Sequence, residues 1–426
     1  MKSRTWMWTT VVSLFALALP VWTAAQDNPS QEHKSKHKQY KFIDLGTFGG
    51  PASYTLQNGN GPGSKVLNSR GTLAGWADTP VPDPYAPNCT NPDCFVSHAF
   101  RWDGGSPTDL GALPGVTSSA GYWINERGWI AGQSQNGAID PLTGFPEGRA
   151  ILWTDDKIID LGTLGGGYES LATAVNNRGQ VAGFALNLVP DPFFGTQVRT
   201  FLWEKGAMQD LGTLGGPDSP PFGNTPINER GQVAGCSFTS STPNQNTGIP
   251  TADPFLWERG RMRDLGTLGG TIGYPGYLNN QGQVVGQSDL AGDMTFHPFL
   301  WDKRSGIMDL GTLGGNNGAA TWINDAGDVV GEADLPGSQA HDAFLWKHGV
   351  MTDLGNLGQT SFAFGINSER QVVGHSLIND GTFRAFLSEH HGPMIDLNTL
   401  IPANSSLLLT DACDLSAIVD VEGIGQ

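Results

Sequence analysis

One heptapeptide, Asp-Leu-Gly-Thr-Leu-Gly-Gly, recurs along this chain and limits its possible folds more than any other feature. It starts at Asp160, Asp210, Asp264 and Asp309. Close variants start at Asp44, Asp109 and Asp353, and an eroded copy at Asp396. Two further anchors keep a fixed order between successive copies. Ile-Asn-x-x-Gly-x-Val-x-Gly, or a relative, places Asn at 68, 125, 176, 228, 279, 324 and 367. Ala-Phe-Leu-Trp, or a relative, places Trp at 102, 153, 203, 257, 301 and 346, with Ser388 in the last copy. Eight Asp-Leu anchors thus enclose seven complete units, each of which must bury its apolar faces against its neighbours.

Each unit reads as four strands. Between Asp309 and Asp353 these are 319–324, 328–333, 343–346 and 350–354, filled with β-branched and aromatic residues. Asn324-Asp325-Ala326-Gly327 has the Asn and Gly placement of a type I hairpin turn, and Trp346-Lys347-His348-Gly349 supplies a second short turn. With 59 Gly, 27 Pro and only 15% charged residues, the composition suits short strands and tight turns rather than long helices. Four-stranded units packed radially give an all-β propeller. The chain opens on a lone fourth strand, 40–45, and ends on a worn first strand, 407–415, followed by 419–424. Seven units close directly, or the two ends sew a partial eighth blade. The second arrangement is the expectation.

The anchors are similar to those of the HAF-type extracellular repeat family of bacterial proteins. His98-Ala99-Phe100 is the literal copy of the triplet that names it, with Pro298-Phe299 and Ala343-Phe344 in other units. The resemblance spans about residues 40–400 and implies export and repeats, with no catalytic residue to carry over. Arg370 for the turn Gly and Ser388 for Trp depart from the pattern.

Lys2 and Arg4, an apolar stretch from Trp6 to Leu19, and Thr23-Ala24-Ala25 have the order of a secretory signal peptide. The expected organisation is a leader over 1–25, a polar linker over 26–39 and a repeat domain over 40–426, in a secreted or periplasmic monomer. No segment is apolar for the 18 or so residues of a membrane helix. The formal charge of −17, made more negative by loss of Lys2 and Arg4, disfavours nucleic acid as a partner. Cys89 and Cys94, five apart, read as a local disulfide, while Cys236 and Cys413 read as small buried residues.

The repeated Asp reads as a turn stabiliser accepting backbone N–H bonds, the Asn as a turn former and the Trp as packing core. Hydrolase, metal and phosphate-loop fingerprints are absent, so no catalytic residue, metal or cofactor is expected. The first strands read as small and apolar, with no convergent Asp, Glu or His. The units differ most between the second and third strands, where the first four units carry long loops. Asp83, Tyr85, Asp140, Phe145, Asp191, Phe193 and Phe194 form an expected ligand-binding rim there. These features predict a non-catalytic exported scaffold binding a glycan, cell-surface component or protein. The alternative is a propeller enzyme acting on extracellular polysaccharide.

Overall fold

The computed structural model describes residues 16–17, 41–55, 64–89, 91–155, 157–245, 247–337, 340–389, 392–401 and 408–415. Those residues are all-β apart from one 3₁₀ turn at Leu397–Thr399. None of their helices is long and apolar enough to cross a membrane. The expected unit recurs seven times. Units one, two, three, six and seven are separate four-stranded antiparallel meanders whose strands follow one another in sequence order. Unit six, the clearest, comprises Gly318–Ile323, Val329–Asp334, His341–Lys347 and Val350–Asp353.

Unit four departs from this pattern. Only Val233–Pro243, Pro250–Glu258 and Arg261–Asp264 form strands, and its first strand shrinks to the single bridge Ile227↔Val233. Pro220, Pro221 and Pro226 are the cause, since a proline has no N–H to give to the ladder. A parallel bridge, Ala252↔Ile272, joins unit four to unit five.

The turn chemistry is that of the sequence pattern. Asn176 accepts from the Gly179 N–H at 3.0 Å, and Gly179 sits at φ +79°. That left-handed position suits Gly best. Arg370 holds the same position in unit seven at φ +60°, where its Nε donates to buried Asp328 at 2.8 Å. The second turn has two positive-φ residues, such as His348 and Gly349. The Gly that closes the Asn anchor has another duty. At Gly331 an added Cβ would overlap the Ala319 carbonyl, because the first strand bulges between Ala320 and Trp322 and presses onto the second.

The repeated Asp does what its position implies in all eight copies. Its Oδ1 accepts the N–H two residues on, from Asp44–Gly46 at 2.9 Å to Asp396–Asn398 at 2.8 Å. In four units a His or Arg two residues before its paired third-strand residue lies against it. His98 lies 2.9 Å from Asp109 and His297 2.9 Å from Asp309, while Arg149 and Arg199 face Asp160 and Asp210. The third-strand Phe residues 100, 201, 255, 299, 344 and 386 are fully buried, and the repeated Trp residues are core.

Consecutive units pack face to face. Val330, Ala343 and Leu345 of unit six meet Ile366, Val372 and Phe386 of unit seven. The corresponding outer face of unit seven, Val373, Ala385 and Leu387, meets Leu409 and Ala412 of the C-terminal segment. At the other end Ile43, Leu45 and Phe48 pack on Leu73, Phe100 and Trp102 of unit one. The expected strand 40–45 is only Lys41–Phe42, and it pairs with Ala16–Leu17 inside the expected leader. Within 407–415, the described residues 408–415 form no regular strand. Leu409 nevertheless accepts from the Ala385 N–H at 2.9 Å, and Asp414 Oδ2 from the Leu67 N–H of unit one at 2.8 Å. Residues 419–424 lie outside the described residues. Cys89 and Cys94 are disulfide-bonded, with Cα atoms 5.2 Å apart. Cys236 and Cys413 are buried free thiols.

Between the units runs a chain of buried amides. Asn68 Nδ2 donates to the Asn125 carbonyl, Asn125 to Asn176, Asn176 to Asn228, Asn228 to Asn279, Asn279 to Asn324 and Asn324 to Asn367, all at 2.9–3.1 Å. The same Asn shapes its own turn through Oδ1: Asn228 Oδ1 accepts from the Arg230 and Gln232 N–H groups. Truncating it therefore strands several buried partners at once. Asn228→Ala is expected to lower unfolding stability by about 2–4 kcal/mol, measured by urea denaturation. Asp103→Asn, on an exposed turn, is expected to change it by less than about 0.5 kcal/mol.

Candidate functional site

The amide chain sets a fixed frame, and the residue after each Asn varies on it: Ser69, Glu126, Asn177, Glu229, Asn280, Asp325 and Ser368. These residues make a second tier of links. The Ser69 N–H is taken by Glu126, that of Glu126 by Asn177 Oδ1, that of Asn177 by Glu229, that of Glu229 by Asn280 Oδ1 and that of Asn280 by Asp325. Both tiers border one cavity of about 320 Å³, lined by residues of all seven units and by Asp414 and Leu415.

The floor of this cavity is aromatic. In units two, five and six the first-strand bulge is followed directly by Trp123, Tyr277 and Trp322. A bulge re-aims the side chain that follows it. Tyr277 is stacked between the two indoles, its ring centroid 3.6 Å from Trp322 and 5.9 Å from Trp123. Its hydroxyl makes no hydrogen bond among the described residues. Burial raises the Tyr277 pKa well above the ordinary phenol value, and Asp414, Asp325, Glu229 and Glu126 push it in the same direction.

Those four carboxylates and one lysine carry the charge of the wall. Lys65 Nζ lies 2.6 Å from Glu126. Burial opposes ionisation of Glu126, but Lys65 and the Ser69 donors outweigh it and hold the carboxyl below its ordinary range. Asp414 is raised to about 6 by burial, against hydrogen bonds from Leu67 and Leu415. Among the described residues no group of three acidic, His or Cys side chains is arranged to hold a metal ion.

The expectation that no Asp, Glu or His converges is therefore corrected. Reading the first strands as apolar stopped one residue short: the carboxylates sit just past the Asn, in the turn. The polar residue after every Asn was the available signal. A second cluster lies toward the opposite ends of the strands. His375 Nδ1 is 2.5 Å from Asp411, with Phe362, Phe364 and Phe383 around its ring. His341 lies 3.9 Å from Glu332, which burial and then Asp334 raise to about 7.

The expected rim residues sit on the second-to-third-strand loops of units one, two and three. Asp83, Asp140 and Asp191 are buried and fold back on their own loops, accepting from the N–H groups of Tyr85, Leu142 and Phe193 respectively. Tyr85 is half-buried, and Phe193 packs edge-on to Phe238. Phe145 and Phe194 remain 50% and 38% exposed. The loops themselves are extended hairpins: second strands run 10–11 residues in units one to four against 6–7 in units five to seven.

No family model matches the chain, and no curated protein does. Among solved structures, the β-propeller domain of the Trilobed protease from Pyrococcus furiosus is 8% identical. That match covers 83% of this chain and 96% of the other, with a TM-score of 0.47. A puromycin-hydrolysing peptidase from Mycobacterium tuberculosis is 13% identical at a TM-score of 0.48. The match covers 83% of this chain but only 56% of the peptidase. TolB from Acinetobacter baumannii is 12% identical, with 77% and 78% covered and a TM-score of 0.34.

Buried carboxyls also set how stability responds to pH. Burial raises Asp78, Asp218 and Asp253, each further raised by a neighbouring carboxyl, Asp93, Asp191 and Asp264 respectively. Glu332 and Asp414 are raised too, whereas Asp109, Glu126, Asp302 and Asp380 are lowered. A carboxyl raised on folding stabilises fully below its unfolded value and loses that contribution as pH rises through its folded value. The raised groups are the more buried, so Tm is expected to fall as pH rises from about 4 to about 7. Thermal melts across that range check this, and Glu332→Gln is expected to flatten the slope.

Proposed function

We propose that this chain is an exported, non-catalytic, monomeric β-propeller of the HAF-repeat type that binds a small extracellular ligand in the cavity bordered by its Asn turns. In this reading the seven units form a closed ring. Residues 408–415 take the first-strand place, and 43–48 the fourth-strand place, of a partial eighth blade. The Asp414–Leu67 hydrogen bond, the packing of Leu409 on unit seven and that of Leu45 on unit one support it. The leader is removed before Gln26.

One observation carries the binding assignment: the Tyr277 hydroxyl stands unbonded on the floor of a cavity whose frame repeats while its wall does not. A repeated frame with differing side chains is how a symmetric scaffold acquires one specific site, and an apolar floor with a few polar groups suits a small molecule. A second reading, hydrolysis of an extracellular glycan, draws on the His375–Asp411 pair and the raised Glu332 at the other strand ends.

A thermal-shift screen of the mature chain against sugars, amino sugars, amines and short peptides separates the two. Binding at the cavity predicts a stabilising compound whose effect is reduced in Tyr277→Phe and kept in His375→Ala. No stabiliser, or one indifferent to Tyr277, contradicts it. Glycan cleavage abolished by His375→Ala would favour the enzyme.

A further inference from the structure

This inference rests on the cavity being a binding site and names its ligand. The wall presents acceptors in excess. Glu229 takes bonds from Asn177, Asp325 from Asn280, and Asp414 from Leu67 and Leu415, all at 2.7–3.2 Å. Carboxylate oxygens offer about four lone-pair sites per group, so each retains capacity facing the cavity. Lys65, the lysine of the wall, is committed to Glu126 at 2.6 Å. The excess is of negative charge and of acceptors, and a ligand that balances it brings cationic donors.

The arrangement narrows the cation further. The carboxylates come from units two, four and six and from the C-terminal segment, and no three of them gather in a metal-binding group among the described residues. Their separation suits charges held apart on one molecule rather than a single point charge. The apolar part of the lining, including Trp123, Val175, Ile227, Tyr277, Trp322 and Ile366, suits methylene groups between those charges. A volume of about 320 Å³ equals about ten waters at the ~30 Å³ each occupies in the liquid, the size of a short organic chain. The Tyr277 hydroxyl, on a partly buried side chain and without a partner among the described residues, is an acceptor or donor available at the floor.

We infer that the cavity binds a small aliphatic polyamine, its ammonium groups meeting Glu229, Asp325 and Asp414 and its methylenes lying over the Trp123–Tyr277–Trp322 stack.

The test is isothermal titration of the mature full chain with putrescine and spermidine, and with glucose, N-acetylglucosamine and glutamate as neutral and acidic comparators. Spermidine is expected to bind. Glu229→Gln and Asp325→Asn keep acceptors for Asn177 and Asn280 but remove charge, and each is expected to weaken binding roughly tenfold or more. Tyr277→Phe, with melting unchanged, is expected to weaken it by a smaller factor. Asp103→Asn, an exposed acidic residue far from the cavity, is expected to leave it unchanged. Spermidine binding that all these variants share equally would be adsorption to an acidic surface and would overturn the inference. A neutral sugar binding in place of the amines, with loss in Tyr277→Phe, would overturn the polyamine while sparing the cavity as a site. Binding of none of the probes would overturn the polyamine, leaving the cavity itself to the wider thermal-shift screen.

Discussion

A buried amide that serves two units at once is the interaction on which the rest of this molecule depends. The side chain of each repeated Asn closes its own turn through Oδ1, and in the first six units it ties that turn to the next unit through Nδ2. A meander of four strands cannot cover both of its faces, so burial alone would let units slide against one another. Apolar faces are non-directional, whereas a hydrogen bond to one named carbonyl is not. The amide chain therefore fixes register between units, and the fully buried third-strand Phe residues, with the Trp, Leu, Val and Ala around them, supply the apolar burial behind it.

That frame explains how a symmetric array acquires an asymmetric cavity. The Asn must stay, because its loss would strand buried groups in two units. The next residue is free to change so long as it can accept the N–H of the unit before it, and Glu, Asp and Asn do that equally well. Three of the seven positions carry a carboxylate, and the C-terminal segment brings a fourth in Asp414. Charge thus gathers at little cost to folding. The bulge before Trp123, Tyr277 and Trp322 completes the arrangement from below.

Much of this was legible in the residues. The strands, both turn types, the role of the repeated Asp, the Cys89–Cys94 disulfide and the core positions follow from local chemistry repeated several times. What escaped depended on meeting across units. Nothing within one copy says that Glu126, Glu229 and Asp325 face the same space, since they are 103 and 96 residues apart. The Pro-driven loss of the first strand in unit four could have been read from Pro220, Pro221 and Pro226. The rim loops are ambiguous for a different reason: an Asp before a Pro serves a solvent-facing site or its own turn with the same sequence, and here Oδ1 of Asp83, Asp140 and Asp191 accepts from the loop backbone.

Small-angle scattering of residues 26–426 tests most directly the claim that these units surround one cavity. A closed array of about 400 residues predicts a radius of gyration of roughly 22 Å, with a distance distribution that ends sharply. A markedly larger radius with a long tail in that distribution would mean an open stack, and the shared cavity with everything assigned to it would fall.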